Sequence, residues 1–548
     1  MGYSAFVGSF NLDTALTAGQ TQAITGVGFT PKIVLFWWSG TVRTGDGVAG
    51  ETIRPGFGAV AGASSRFFVA AYSEDAAART NTAHGASTTA CIGVYADGTP
   101  TADGLADWGS FDADGFTLTI DDQFTLAARI SYLALGGDDL TNVFIGNNQY
   151  ATVAGNYAET GVGFQPDAAI FVPTNLGSAA ASAVSLHFGI GIAAGGAQGA
   201  IYNNNGDDGA TSNTTAYGYN GEVIATRIMG IRESWVSFDA DGFTLNHLEG
   251  TTANYYHYIA LKGGQYKVGE LTTRTDGNDI VETDPNFTPV GLLFLSANRA
   301  HSTQDTPTDH ARLSIGAATS ASNRAAQAIS DEDNLADTET ATGNYDTAVY
   351  ANVLDDAIVG LMDIKSIDAL GFTAVMDDTD PAGCWVTYLA IGAASAAPTS
   401  LTPSALAIPI VIAAPTLSLT YSLTPSPLAI PTVVAAPTLG LTYALAPTPV
   451  ALPIAIPAPA LALAYALTPS GIAIPMVIPS PTLGLSLGLT PDPVAIPMVI
   501  VAPALAHLLT LTPDAIPVLL VLPAGVLGHY MAWLRILCWC RSCCRPGH

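Results

Sequence analysis

Apolar and polar residues alternate with a period of two over short stretches of this chain. The segment 235–246, WVSFDADGFTLN, alternates on both sides of an Asp/Gly step, the pattern of a β-hairpin closed by a tight turn. The segments 128–137 (ARISYLALGG), 255–264 (YYHYIALKGG) and 384–393 (CWVTYLAIGA) are β-branched and aromatic runs that end at Gly or Gly-Ala. No stretch of twelve or more residues combines a helical period with caps. The pattern predicts an all-β protein.

The same landmarks then recur in one order, three times. Each copy opens with an apolar stretch ending in Gly: Phe6-Val7-Gly8, Phe144-Ile145-Gly146, and Tyr266 to Gly269. A Phe-x-Pro step into an apolar run follows: Gly28-Phe29-Thr30-Pro31 then IVLFWW, Gly163-Phe164-Gln165-Pro166 then AAIFV, and Asn286-Phe287-Thr288-Pro289 then GLLFL. Next come Gly/Ala-rich strands around Gly58, Gly189 and Gly316, and the signature SFDADGFTL, SFDADGFTL and SIDALGFTA at 110–118, 237–245 and 366–374. Each copy closes on Tyr-x-Ala at Tyr132, Tyr258 and Tyr388. The copies are 1–137, 138–264 and 265–394. Their many short strands suit three β-sandwich or jelly-roll-like domains, each large enough for its own core.

From Leu401 the pattern changes to a 22-residue repeat starting at Leu401, Leu423, Leu445, Leu467, Leu489 and Leu511. Every proline from Pro403 to Pro523 has an odd number. In an extended chain that places them on one face, which a three-residue polyproline turn would not do. Proline cannot donate to a ladder, so the strands are expected to be edge-like or interrupted. Leu, Ile, Val and Ala between the prolines need burial, and one unit cannot supply it. The expectation is a Pro-punctuated fibrous shaft over 395–525, its apolar stripes buried between chains of a homo-oligomer, most simply a trimer. Residues 526–548 form a separate Cys/Trp-rich tail holding Cys538, Cys540, Cys543 and Cys544.

Charge sharpens this division. The chain of 548 residues has 18 Lys+Arg against 45 Asp+Glu, a net charge of -27. After residue 394 the only acids are Asp492 and Asp514 and the only bases Arg535, Arg541 and Arg545, so the acidity belongs to the three copies. A nucleic-acid binder needs clustered Lys and Arg and is excluded on that ground. The N-terminal residues carry no basic and apolar signal pattern, and Pro523, Gly525, His529 and Arg535 interrupt an apolar stretch from about Val518 whose length would span a bilayer, so neither a cleaved leader nor a membrane span is expected. Cys91 and Cys384 stand alone as small core residues.

Few residues carry chemistry. Asp112-Ala113-Asp114-Gly115 and Asp239-Ala240-Asp241-Gly242 open like a calcium loop, which makes Asp112, Asp114, Asp239 and Asp241 the weak metal candidates. The bidentate Glu of such a loop is missing, and the third copy reads Asp368-Ala369-Leu370-Gly371. A turn needs only the shared Asp and Gly, and no metal or cofactor is expected. Gly189-Ile190-Gly191 lacks the strand–turn–helix setting of a dinucleotide site. His301 and His310 fall in a polar loop, and no catalytic constellation recurs. The loops 39–55, 73–87, 203–213 and 297–309 are rich in Asp, Asn, Thr, Gly and Ser. They suit hydroxyl-rich ligands, with Trp37, Trp38 or Tyr202 as stacking partners.

Repeated β domains marked by GFxP, FDxDGF and YxALGG, followed by an apolar repeat shaft, resemble the fibre or spike proteins of tailed bacteriophages. The resemblance lies in architecture and carries no catalytic residue across. It implies a non-enzymatic structural protein on a virion surface, with other virion proteins as partners and host surface glycans as targets. A bacterial cell-surface or S-layer-like adhesin and a polysaccharide depolymerase spike are the alternatives.

Overall fold

The structure, a computed structural model, describes residues 2–40, 46–226, 230–300 and 310–394, and beyond them short strands between 400 and 521. The described elements are β-strands, and no helix among them is long and apolar enough to cross a membrane. The chain divides into two compact units, Met1–Ser395 and Ala396–His548.

In the first unit each copy folds into the same two sheets. The inner sheet of copy 1 runs Tyr3–Asn11, Arg129–Gly137, Pro31–Trp38, Gly56–Gly62, Ser65–Ser73, Thr82–Ser87. Its outer sheet runs Thr21–Thr25, Gly115–Asp122, Ala102–Asp112, Ile92–Tyr95. Copies 2 and 3 repeat both orders. The first and last strands of each copy are therefore neighbours, which explains why both ends carry a landmark. Gly8, Gly146 and Gly269 lie opposite Tyr132, Tyr258 and Tyr388. A Cβ on any of the three glycines would lie 2.5 Å or less from the tyrosine ring or its hydroxyl.

The apolar run in each copy is continuous because the inner sheet is buried on both faces. In Pro31–Trp38, Ile33, Leu35 and Trp37 enter one core while Val34, Phe36 and Trp38 enter another. The second is the interior of that copy's own sandwich. The first is shared: Ile170 and Val172 of copy 2 and Leu293 and Leu295 of copy 3 lie in it too. Three sandwiches thus stand around a common central core, related by a pseudo-threefold axis. The outer strands keep the alternation expected of a sheet with one wet face: Phe116, Leu118 and Ile120 are buried while Thr117 and Thr119 are partly exposed.

Inside each sandwich the landmarks meet as an aromatic triad. Phe116 lies edge-on to Phe36 and Tyr132 with ring centroids 5.6 and 5.1 Å away. Phe243 repeats this with Phe171 and Tyr258 at 5.2 and 5.0 Å, and Phe372 with Phe294 and Tyr388 at 5.5 and 5.0 Å. These are favoured edge-to-face geometries. The Gly/Ala-rich strand passes under the outer sheet so closely that a Cβ at Gly58, Gly191 or Gly316 would lie within 2.1 Å of the carbonyl oxygen of Cys91, Val223 or Val349. The equivalent glycine in copy 2 is therefore Gly191 rather than Gly189. Cys91 and Cys384 are buried and free, as small core residues should be.

Strands are also exchanged between copies. Gly47–Gly50 of copy 1 pairs with Thr340–Tyr345 of copy 3, and Ala181–Val184 of copy 2 with Thr82–Ser87 of copy 1.

In the second unit the repeat forms two parallel ladders. One joins Ser400–Leu401, Thr420–Leu423, Leu441–Leu445, Leu463–Leu467, Leu485–Leu489 and His507–Leu511; the other starts at Ile410–Ile412 and ends at Leu519–Val521. Leu441 pairs with Leu463 and Leu463 with Leu485, one repeat apart. Each 22-residue unit contributes one short strand to each ladder, as in a solenoid. Pro497 opens one strand; the other prolines of the repeat, and with them the expectation that they interrupt the strands, lie outside the described residues. The ladders run within one chain, so strand pairing here requires no second one. The tail 526–548 lies outside the described residues.

Candidate functional site

The signature turns use their carboxylates internally. Asp112 accepts from the Ser110 hydroxyl at 2.7 Å and the Thr117 hydroxyl at 2.7 Å. Asp239 accepts from Ser237 and Thr244, and Asp368 from Ser366 and Thr373, at 2.6 to 2.9 Å. These bonds hold the Asp112 carboxyl below its ordinary range. Asp114 accepts from the backbone N–H groups of Gly26 and Gly28, and Asp241 from those of Gly161 and Gly163. The third copy puts Leu370 there and its backbone carbonyl takes the N–H of Asn286 at 2.9 Å. The four aspartates that resemble a calcium loop are thus placed as turn and loop clamps.

The aromatic candidates are not in loops. Trp37 and Trp38 end an inner strand with 0% and 2% exposure, and Tyr202 is 2% exposed. A surface stacking role for them is corrected by these positions. Both faces of the inner sheet are covered, one by the shared core and one by the sandwich, so a residue at the end of the apolar run is still inside. His310 accepts a hydrogen bond from the Asp333 N–H at 3.1 Å, and His301 lies outside the described residues.

The loops 73–87 and 203–213, together with 331–340, build a polar ring around the pseudo-threefold axis. Ser73, Asn205 and Asp331 end equivalent strands and converge there, each 0% exposed. Asn205 Nδ2 donates to Asp331 Oδ2 at 2.9 Å and to Ser73 Oγ at 3.4 Å. Asp331 Oδ1 has no hydrogen-bond partner among the described residues. Burial pushes the Asp331 carboxyl up to about 7; the Ser73 and Asn205 bonds oppose this, and the charges of Asp333 and Asp75 add to it.

Two residues beyond, each copy clamps a neighbour. Asp207 accepts from the N–H of Thr82, Asp333 from Thr214 and Asp75 from Thr340, at 2.8 to 2.9 Å. Thr80, Ser212 and Thr338 then bracket the next copy's loop, each accepting two N–H bonds and donating its own: Thr80 with Asp208 and Gly209, Ser212 with Asn334 and Leu335, Thr338 with Ala76 and Ala77. Ala76, Asp208 and Asn334 all take positive φ, 53°, 56° and 62°. The signal was present in the sequence as Asp-x-x-Ala-x-Ser/Thr-x-Thr from Asp75, Asp207 and Asp333. Beside the ring, carboxylate oxygens of Glu332, Glu339 and Asp355 lie within 4.8 Å of one another, the one group of three potential metal-ligating side chains among the described residues. Burial and the like charges of Asp355 and Glu339 raise Glu332 to about 7.

A cleft of about 410 Å³ opens where the hairpin of copy 2 meets the first strand of copy 3. Its volume falls within the range of small-ligand sites, about 300–1,000 Å³. Its lining includes the polar Gln198, Asn220, Lys267, Glu270 and Asp284 beside Ala197, Val268 and Gly269. Glu270 Oε2 accepts from Asn220 Nδ2 at 3.0 Å and from Trp385 Nε1 at 2.8 Å; Lys267 pairs with Asp284 at 3.2 Å. Donors and acceptors thus face one small concavity, the arrangement that recognises hydroxyl groups.

Compared with the models of known protein families and with curated proteins, the chain matches none.

Proposed function

We propose that the chain is a non-enzymatic structural protein of a bacteriophage surface, a fibre or spike, whose acidic unit meets the glycans of the host. The observation that carries this reading is the build of the chain: three interlocked β-sandwiches around a pseudo-threefold axis, continued by in-register parallel repeats. Such a build supplies rigidity within each unit. The recurring carboxylates of the three copies are spent on turns and inter-copy clamps, which favours a scaffold over a catalyst. The net charge of -27 lies almost wholly on the first unit and suits a solvated, self-repelling exterior.

Immunogold labelling with antibody raised against residues 1–394 tests the reading. Labelled phage particles are the expected outcome. Label confined to a bacterial cell wall would overturn it in favour of an adhesin, and release of reducing sugar from host polysaccharide by the purified chain would make it a depolymerase.

A further inference from the structure

The three copies meet at three equivalent seams, each pairing the hairpin of one copy with the first strand of the next. Where copy 3 meets copy 1, Asp346 of the one faces Ser9 and Arg129 of the other. Arg129 donates to Asp346 Oδ2 at 2.7 Å and to Ser9 Oγ at 2.6 Å. The carboxylate at this seam is thus balanced by a guanidinium. Where copy 1 meets copy 2, the corresponding residues are Thr88, Asn147 and Tyr255, none of them charged.

Where copy 2 meets copy 3, the corresponding residues are Asn220, Glu270 and Trp385. Asn220 follows Thr214–Tyr219 as Asp346 follows Thr340–Tyr345, and Glu270 follows Gly269 as Ser9 follows Gly8. Trp385 lies opposite Thr272 as Arg129 lies opposite Asn11. At this seam the acid stands on the strand, and an indole replaces the guanidinium. Glu270 Oε2 accepts from Asn220 Nδ2 at 3.0 Å and from Trp385 Nε1 at 2.8 Å. These two neutral donors fix the carboxylate without balancing its charge. Glu270 Oε1 accepts no bond from the described residues, and the side chain is exposed in the cleft lining. Lys267 in the same lining pairs with Asp284, so the lining holds two carboxylates against one ammonium. Ala197 lines the cleft where the hairpin of copy 3 has the longer Asn323.

We infer that this cleft binds an amino sugar through its free ammonium group. The ammonium donates to Glu270 Oε1 and supplies the positive charge that Arg129 supplies at the seam between copies 3 and 1. The sugar hydroxyls take the remaining polar groups of the lining. Gln198 Oε1 is occupied by the Trp235 N–H at 2.6 Å, which leaves its Nε2 to donate; Lys267 donates and Asp284 accepts. Each of these side chains is at least partly exposed. A neutral sugar leaves the Glu270 charge unbalanced, and an anionic sugar is repelled by it. A simple alkylammonium balances the charge but leaves Gln198, Lys267 and Asp284 unused. This deepens the glycan part of the proposed function and rests on it.

Saturation-transfer NMR on the full chain, with glucosamine and galactosamine as probes, tests the inference. Methyl glucoside, which has the hydroxyls without the charge, and ethylammonium, which has the charge without the hydroxyls, are the controls. At least one amino sugar should bind with a dissociation constant on the order of 1–10 mM, and both controls should bind about tenfold more weakly or not at all. Glu270→Gln keeps the size and one acceptor oxygen but removes the charge. It should weaken the amino sugar about tenfold and leave the melting temperature of the free chain unchanged. Hydrogen–deuterium exchange of segment 265–272 should slow with the amino sugar. Absence of binding by both amino sugars, equal binding by either control, or equal binding by Glu270→Gln would overturn the inference. If Glu270→Gln fails to fold, the exchange measurement and the two controls on the native chain decide. Antibody-labelled particles without amino-sugar binding would sink the cleft and leave the virion reading standing; amino-sugar binding without particle label would do the reverse.

Discussion

Asp331 is held between Ser73 and Asn205 with no water-facing surface, and its Oδ1 has no partner among the described residues. An ionised carboxylate there lacks the solvation it would have in the unfolded chain. Its folded pKa is raised from the usual 3.8 to about 7, with burial as the main cause. The folded state therefore binds the proton more tightly than the unfolded state. Below pH 3.8 the group is neutral in both states and costs nothing. As pH rises toward 7 the unfolded chain ionises first and stability falls; above about 7 the loss is complete. Asn at 331 mimics the protonated acid, so Asp331→Asn should match the native chain near pH 3.5 and exceed it at pH 8. The gain is bounded by roughly 4 kcal/mol at about 1.4 kcal/mol per pKa unit. Thermal melts across that range measure it, and a variant no more stable than the native chain at pH 8 would remove the charge from this account.

At the scale of elements, the aromatic triads turn three sequence landmarks into one packing unit. Phe116, Phe243 and Phe372 each sit edge-on between a Phe of the inner sheet and the closing Tyr, at nearly the same distances. Each is 0% or 1% exposed. Truncation to Ala should cost about 3–5 kcal/mol at each site, and the three losses should agree within about 1 kcal/mol if the environments are equivalent. Urea unfolding of the three variants tests this; one copy indifferent to the change would break the equivalence. The strands, hairpins and triplication were legible because period-two patterning and turn residues are local signals. The inter-copy clamps carry no such local signal, although Asp75, Thr80 and Thr82 and their counterparts keep their spacing. Most residues between these positions differ among the copies, and a clamp between copies leaves no periodic trace. Trp37, Trp38 and Tyr202 were misplaced for a related reason. A strand covered on both faces has no polar alternation to announce which of its residues are inside.

For the molecule as a whole, the decisive feature is that the central core belongs to no single copy. Trp37, Ile170 and Leu293 come from three copies and share it. Side-chain bonds cross the same boundary: Gln327 of copy 3 accepts from the Ser39 N–H at 2.8 Å and donates to Ser131 Oγ at 2.9 Å, both in copy 1. Asp75 clamps Thr340 at 2.9 Å, and Gly47–Gly50 completes the edge of copy 3. A chain ending at residue 264 would retain two full sandwiches yet expose the inner faces that copy 3 covers. Exposed apolar faces of that extent drive association. Residues 1–264 should therefore self-associate or precipitate, while residues 1–394 should sediment as a monomer with one cooperative melt. The comparison isolates the shared core, because each sandwich keeps its own interior in both fragments. A monodisperse, well-folded 1–264 monomer in sedimentation velocity would mean that the sandwiches are self-sufficient and only tethered. The expected result would mean that one chain performs for itself the threefold closure that separate subunits otherwise provide, so the triplication, more than any partner chain, gives the first unit its rigidity.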